Sequence, residues 1–255
     1  MVQKDPGERR MASLFLVFIG IMVSASCLAQ SDSLVSRRNT IKYLLLNGLT
    51  FPNAGAISYE RVTKPHQSIA LTVGYIEFPK LGEFGSGIRV ASTNRHTGFL
   101  AGLEYRYYLR KENKYKAPHG VFVGPYTNLF AFHNDRAISN ADGTSQATLI
   151  SKITAFNIGA QAGYQFIIGN RWAIDMVFAG PAIARYGLNL KLDGDFDAED
   201  ALENELVEAL ADRFPLIKDL ITDKEVKLNK KNSSWSAGFR YQINVGYHFG
   251  RTRKK

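Results

Sequence analysis

Several charged side chains of this 255-residue sequence lie between apolar neighbours, and ion pairing is the chemistry that they could do. Because strand side chains alternate between two faces, such charges would point away from the apolar face. An unpaired buried charge is very costly, so charges enclosed by a sheet must pair. A structural salt-bridge network is therefore predicted, with a proton or ion path as the alternative. Its predicted members are Lys42, Glu60, Glu104, Arg106, Asp175, Arg185 and Arg240.

Histidines near serines and acids define a second candidate chemistry, which is hydrolysis or acyl transfer by a catalytic triad. His133 and Ser139 lie in one polar stretch with Asp135, and His96 follows Ser92 closely. Neither spacing is specific for a triad, and such residues are common in polar loops. The sequence therefore favours a protein that is not an enzyme and needs no cofactor, with His133, Ser139 and His96 as weak catalytic candidates.

An acidic segment at residues 193–212 is the most distinctive feature of the chain, because it contains nine acids and no base. Asp193, Asp195 and Asp197 have a spacing that faintly resembles a calcium-binding loop. The glycine and the glutamate that an EF-hand requires further along are missing. A looser divalent-cation site therefore remains a weak candidate, beside a simply solvated acidic face.

Residues 198–214 are predicted to form a helix within this acidic segment. Leu202, Leu206, Leu210 and Phe214 follow one another at intervals of four, which places them on one helix face. Such an apolar stripe has to pack against another surface. The rim of the main fold and a partner protein are the two candidates for that surface.

The elements that would position all of these residues are long strands, and the clearest pattern lies at residues 235–249. Odd-numbered positions there are apolar or aromatic, and even-numbered positions are polar or glycine. Strands of soluble proteins usually run for only about five or six residues. The pattern therefore favours a strand that crosses a bilayer and projects beyond it, with a long strand in a soluble sheet as the alternative.

The same alternation, interrupted by turns, predicts eight antiparallel strands within about residues 40–249. One end of this sheet would have only short connections, and the other would have mostly long ones. An even strand number with this asymmetry is typical of bacterial outer-membrane barrels. The predicted fold class is all-β, a single eight-stranded antiparallel transmembrane barrel with one helix in an outer loop. The predicted short connections are 64–66, 111–118 and 169–170, and the opposite connections are 51–55, 79–95, 134–151 and 189–233.

The first 29 residues have the layout of a secretory signal peptide. Basic residues precede an apolar run at 12–23, and small residues follow up to Ala29. Cleavage after Ala29 would leave residues 30–255 as the exported barrel domain.

Four short segments carry a resemblance, although none of them is a catalytic motif. They are Cys-Leu-Ala-Gln at 27–30, Tyr-Glu-Arg at 59–61, Tyr-Arg-Tyr-Tyr at 105–108 and Val-Gly-Tyr-His-Phe at 245–249. Over roughly residues 40–249 the chain resembles small outer-membrane β-barrels of the OmpA/OmpX type, in the Bacteroidota-like form of unknown function. The resemblance implies an outer-membrane location. Because some barrels of this size are lipid A deacylases or acyltransferases, it also implies such an enzyme as an alternative.

The expected function is a structural or surface-interaction role in the bacterial outer membrane. The barrel would contact outer-membrane lipids, including lipopolysaccharide, and loop 189–233 would contact a protein partner, with an accessory subunit of a larger complex as the alternative. The formal net charge is +9, but the basic residues are spread over strand ends, turns and the tail. Without a basic face that also carries aromatic residues, the sequence argues against nucleic-acid binding.

Overall fold

The computed structural model describes residues 37–46, 54–77, 88–140, 146–195 and 231–250. These ranges contain ten β-strands, which follow the predicted alternation of apolar and polar positions. The strands are β1 (Asn39–Leu44), β2 (Gly55–Lys64), β3 (Gln67–Glu77), β4 (Ile88–Tyr108), β5 (Gly120–Asn140), β6 (Gln146–Ile168), β7 (Trp172–Ala179), β8 (Pro181–Asp195), β9 (Lys231–Phe239) and β10 (Gln242–Phe249).

The ten strands form one antiparallel sheet that closes into a ring. Strands β1 to β6 pair in chain order, and β1 also pairs with β10 from Asn39↔Phe249 to Leu44↔Asn244. β6 pairs with β7 along one part of its length and with β8 along another. β10 pairs with β7, and β9 pairs with β8. β7 and β8 therefore follow each other in one pass along the barrel wall, and so do β9 and β10. We call each such pass a crossing, and the eight crossings of the ring correspond to the eight strands that the sequence predicted.

The crossing made of β7 and β8 exchanges its two faces at Gly180. Asp175 and Val177 are buried before this point, whereas Ala184 and Leu188 are buried after it. The pairing with β6 also slips by one residue at Ala162/Gly163. Such an irregularity adds one residue to the strand, so that every later side chain points to the opposite face of the sheet. The prediction of an inward face therefore fails for the arginine of β8, as described below.

The crossing made of β9 and β10 bends without exchanging its faces. At the bend, the Arg240 N–H donates a hydrogen bond to the Gly180 carbonyl at 2.9 Å. The even-numbered residues Gln242, Asn244 and His248 are buried, as the alternation predicted. The two bends therefore lie side by side, and only the one at Gly180 changes the register.

The two ends of the barrel have different connections, and we call them the lower and the upper end. At the lower end lie the short connections 65–66, 109–119 and 169–171. At the upper end, the strands are longer than predicted, because parts of the predicted loops 79–95, 134–151 and 189–233 are strand. In these upper parts, the strands continue beyond the alternation of apolar and polar residues. Backbone pairing holds them together there, and outside an apolar layer their outer face does not need to be apolar.

The outer face of the barrel is apolar and exposed. Ile57, Leu71, Phe99, Ile158 and Trp172 are each between 49% and 57% exposed. Soluble monomers rarely expose contiguous apolar surface of this kind. The surface is typical of a barrel that is surrounded by lipid.

Aromatic side chains contact one another at the lower rim of this face. Trp172 meets Tyr247 edge to face at 5.7 Å between ring centroids, and Tyr247 stacks with Phe249 at 6.5 Å. Aromatic girdles of this kind flank the apolar band of membrane barrels.

Two predicted features lie outside the described residues, namely the signal peptide at 1–29 and the helix at 198–214. Within the described ranges, no helix has the length and the hydropathy needed to cross a membrane.

Candidate functional site

The lower end of the barrel interior is closed by an apolar cluster. Val62, Tyr108, Ala117 and Phe122 are all buried there, and Val177, which lies further up β7, belongs to the same cluster. Ala117 belongs to the connection 109–119, and its N–H donates a hydrogen bond to the carbonyl of Pro65 at 2.8 Å. This hydrogen bond ties two lower connections together across the end of the barrel.

One glycine makes room for the largest ring of this cluster. A Cβ atom on Gly163 would lie 2.5 Å from Cζ of Phe122, which is closer than any real carbon contact. The Phe122 ring therefore fills the space that a side chain at residue 163 would occupy.

The same connection carries an aromatic contact outside the barrel wall. Tyr115 stacks on His119 at 4.7 Å between centroids, and His119 meets Tyr164 edge to face at 6.2 Å. Burial lowers the pKa of His119 below its ordinary value of 6.5, because the imidazolium form loses hydration there.

The charged network begins directly above the apolar cluster, at Lys42 of β1. Its Nζ donates to Glu60 Oε2 at 2.8 Å and to Asp175 Oδ2 at 2.6 Å. It also donates to Gln165 Oε1 at 3.1 Å. All three charged side chains are completely inaccessible to solvent. Lys42 therefore links carboxylates from two strands that are far apart in the sequence.

Arg106 of β4 occupies the middle of the network. Its Nη1 donates to Asp175 Oδ2 at 2.8 Å, and its Nε and Nη2 donate to Glu104 Oε2 at 2.9 and 2.6 Å. The guanidinium carbon lies 4.2 Å from the centroid of the Phe122 ring. A planar guanidinium can make both sets of contacts at once, which the compact ammonium of a lysine cannot.

Arg240, at the bend between β9 and β10, forms the top of the network. Its Nη2 donates to Glu104 Oε1 at 2.6 Å and to Gln161 Oε1 at 2.9 Å. Its guanidinium carbon lies 4.4 Å from the centroid of the Tyr126 ring. The Tyr126 hydroxyl in turn donates to the Gly180 carbonyl at 2.7 Å, so the network is tied to the neighbouring bend.

The network is balanced in charge. Three cations, Lys42, Arg106 and Arg240, face three carboxylates, Glu60, Glu104 and Asp175, and five direct ion pairs between 2.6 and 2.8 Å join them. Pairing of this quality offsets the large desolvation penalty of buried charge. An eight-stranded barrel is just wide enough for side chains to fill it, and this network occupies the lower half of the interior.

Neutral partners complete the network, and the sequence did not single them out. The alternation of β6 places Gln161 and Gln165 on the inner face, but a neutral side chain carries no charge that would suggest its partner. Ser68 and Tyr108 both donate to Glu60 Oε1, at 2.5 and 2.8 Å. Asn244 donates to Asp175 Oδ2 at 3.2 Å. Their inward positions follow from the alternation, whereas their contacts depend on the closure of the barrel.

Arg185 does not belong to the network, contrary to the prediction. It is exposed on the outer face of β8, and its guanidinium carbon lies 5.7 Å from the ring centroid of Trp235. The exchange of faces at Gly180 is the physical reason. The other six predicted network residues are brought together.

The predicted catalytic candidates are only partly brought together. His133 Nε2 lies 2.7 Å from Asp135 Oδ1, on the outer face of β5. Ser139 lies six residues further along the same strand, which is about 20 Å at the rise of an extended chain. The Cα of His96 in β4 is opposite that of Asn134. A histidine and an acid therefore meet, but Ser139 is far from them.

The predicted loop sites are mostly outside the described residues. Asp193 is exposed in β8, and Asp195 is the last residue of that strand. Asp197 and the stripe of Leu202, Leu206, Leu210 and Phe214 are not described. Within the described ranges, no three His, Cys, Asp or Glu side chains are grouped so that they could hold a metal ion.

Comparisons with known proteins give one family and one solved structure. The crystal structure of a major outer membrane protein from Thermus thermophilus is similar, with a TM-score of 0.36 and 11% identity. The alignment covers 84% of this chain and 100% of that chain. No curated protein matches in sequence. A family model matches residues 15–186, which is more than half of the chain. The chain therefore belongs to the family described as Protein of unknown function (DUF3575).

Proposed function

We propose that this protein is a bacterial outer-membrane β-barrel that acts as a non-enzymatic anchor and presents its upper end to other molecules. The observation that carries the proposal is the balanced ion network of Lys42, Arg106, Arg240, Glu60, Glu104 and Asp175 inside an apolar outer face. A barrel that is closed by its own side chains holds a position in the membrane but passes no large solute.

The barrel is exported with a leader that is cleaved after Ala29, and its lower end faces the periplasm. Short connections on the periplasmic side and longer ones outside are the common arrangement in outer-membrane barrels. The apolar outer face then contacts the lipid chains, including those of lipopolysaccharide. Amino-terminal sequencing of the membrane-inserted protein tests the cleavage, and a first residue other than Gln30 would contradict it.

The anchor role predicts that the barrel does not conduct ions. The purified protein would be reconstituted into a planar bilayer, with a known porin as the positive control. We expect no stable conductance steps, because the apolar cluster and the network fill the lower half of the interior. Regular steps that persist at neutral pH would support an ion path instead.

The upper loops, above all loop 189–233, are proposed to bind a protein partner. Pull-downs from gently solubilised outer membranes would compare the intact protein with a variant in which a short Gly-Ser linker replaces residues 196–230. A matched control would replace residues 141–145 in the same way. A partner that is lost only with 196–230 supports the proposal, whereas no partner in any form contradicts it.

An outer-leaflet lipid A-modifying enzyme is the second candidate, and the contact between His133 and Asp135 at 2.7 Å favours it. An oriented histidine can act as a general base if a nucleophile lies within reach. Mass spectrometry of lipid A from cells with the wild-type protein and with His133→Ala separates the two functions. The anchor role predicts identical lipid A, and a difference between the strains would support the enzyme.

A further inference from the structure

The upper half of the barrel interior contains a cavity that the anchor role does not use. Its volume is about 580 Å³, which lies within the range of small-molecule sites in proteins. Residues from β1, β3, β4, β5, β6 and β8 line it, together with residues of β9 and β10 on either side of Arg240. The network closes it from below, through Glu104 and Arg240.

The walls of this cavity are apolar and its polar groups are concentrated near its floor. Leu44, Leu100, Phe130, Phe132 and Tyr186 form much of the wall. Polar residues on the lining include Thr72, Asn128 and Gln242, beside the ion pair of Glu104 and Arg240. A site with this division matches a molecule that has an apolar chain and a small polar head.

Two buried polar atoms at the cavity have no hydrogen-bond partner in the described part of the chain. They are the hydroxyl oxygen of Thr72, whose residue is only 3% exposed, and Nε of Arg240. Leaving a buried polar group without a partner costs about 1–3 kcal/mol. A ligand head that offers both an acceptor and a donor would satisfy these groups.

The cavity extends to the outer face where the first and last crossings meet. β10 pairs with β1 only as far as Leu44↔Asn244, and β9 pairs with β8 alone among the described strands. Leu46 lines the cavity beside Phe239 and Tyr241, which are 56% and 68% exposed on the outer face. Among the described residues, the cavity is therefore continuous with the apolar outer face at this seam, which offers an apolar chain a route from the bilayer.

The balance of charges in the network indicates which net charge the head group of a ligand should carry. Arg240 is already paired with Glu104, so an anionic head would also meet a carboxylate and a cationic head would also meet a guanidinium. We propose that the cavity binds a neutral single-chain amphiphile of the monoacylglycerol class, with its chain along the aromatic wall and its hydroxyl or ester head at Thr72 and Arg240. This site does not depend on whether the upper loops bind a partner.

The test uses the full-length protein in phosphatidylcholine nanodiscs and radiolabelled 1-monododecanoylglycerol as the probe. Ala155 lines the cavity, and Ala160 lies on the same strand but on the exposed outer face. Ala155→Phe fills the site and is expected to weaken binding at least about tenfold, which corresponds to about 1.4 kcal/mol. Ala160→Phe makes the same chemical change on the other face and is expected to leave the affinity within about twofold of wild type.

A second variant tests the head of the ligand without changing the volume of the cavity. Thr72→Val removes the hydroxyl and is expected to weaken binding by about fivefold, the effect of one lost hydrogen bond. Heat-dependent electrophoretic mobility shows whether each variant forms a barrel. If Ala155→Phe does not, the binding measured for Thr72→Val decides between the outcomes. Saturable binding that both variants weaken supports the proposal. Equal binding to wild type and both variants, an absence of saturable binding, or equally tight binding of the dodecanoate anion overturns it.

Discussion

The lower and upper halves of the barrel interior are built from the same alternating strands but differ in how they are filled. In the lower half, Lys42, Arg106 and the carboxylates around them satisfy one another above a packed apolar cluster. In the upper half, aromatic and aliphatic walls surround a cavity of about 580 Å³. Strand alternation therefore decides only which side chains face inward. The residue types at those positions decide whether the interior is solid or open.

Breaking the lower network should destabilise the barrel more than any other single substitution proposed below. Arg106→Leu leaves Asp175 with Lys42 and Glu104 with Arg240 as their remaining cations, so the buried network keeps three carboxylates against two cations. We expect this uncompensated charge to cost about 3–5 kcal/mol in the free energy of unfolding. Urea unfolding in lipid vesicles, followed by tryptophan fluorescence, measures this loss. Arg185→Leu is the matched control on the outer face and should change stability by less than about 1 kcal/mol. Similar losses in the two variants would contradict the central position of Arg106.

A smaller effect is expected when an aromatic ring is removed from each half. Phe122→Ala empties a packed site under Arg106 and should cost about 3 kcal/mol, because the surrounding barrel can relax only partly. Phe130→Ala only enlarges the existing cavity and should cost about 1 kcal/mol, since its ring is already half-buried. The same unfolding assay compares the two variants. A larger loss for Phe130→Ala would show that the upper half is packed as tightly as the lower.

The smallest expected effect is a pH dependence at the lower connections. Burial depresses the pKa of His119, so the unfolded chain binds the proton more readily than the folded one. The stability contributed by neutral His119 is therefore complete above pH 6.5 and is lost as the pH falls through the depressed folded value. Hydrogen exchange of residues 109–119 between about pH 7.5 and 5 measures this change. His119→Phe keeps the aromatic contact and should abolish the acid sensitivity, and an unchanged pH profile in that variant would contradict the assignment.

The sequence predicts the crossings of the barrel better than their ends. The alternation over 235–249 correctly placed Gln242, Asn244 and His248 on the inner face of the barrel. It is clear in the sequence because outer residues that face an apolar environment have to be apolar. The upper ends of β5 and β6 were predicted as loop. Strand there is maintained by backbone pairing, as between Asp135 and Ile150, which leaves no signal in side-chain hydropathy.

Most of the charged network could also be predicted, since a charge between apolar neighbours has to face inward. Arg185 is the exception, because one extra residue near Gly180 reverses the faces and nothing in the local composition shows it. The cavity could not be predicted at all. Its volume depends on which side chains from five or more strands meet across the barrel, and this depends on the register of every pairing.

The most direct test of the difference between the two halves is cysteine labelling in intact cells. Ser68→Cys places a thiol in the lower network, where the residue is completely buried, and Asn157→Cys places one on the lining of the upper cavity. A small membrane-impermeant maleimide is added outside, with the wild-type protein as the blank. We expect Asn157→Cys to be labelled in the folded barrel and Ser68→Cys to be labelled only after unfolding in detergent. Labelling of both thiols at the same rate in the folded protein would contradict a barrel whose lower half is closed.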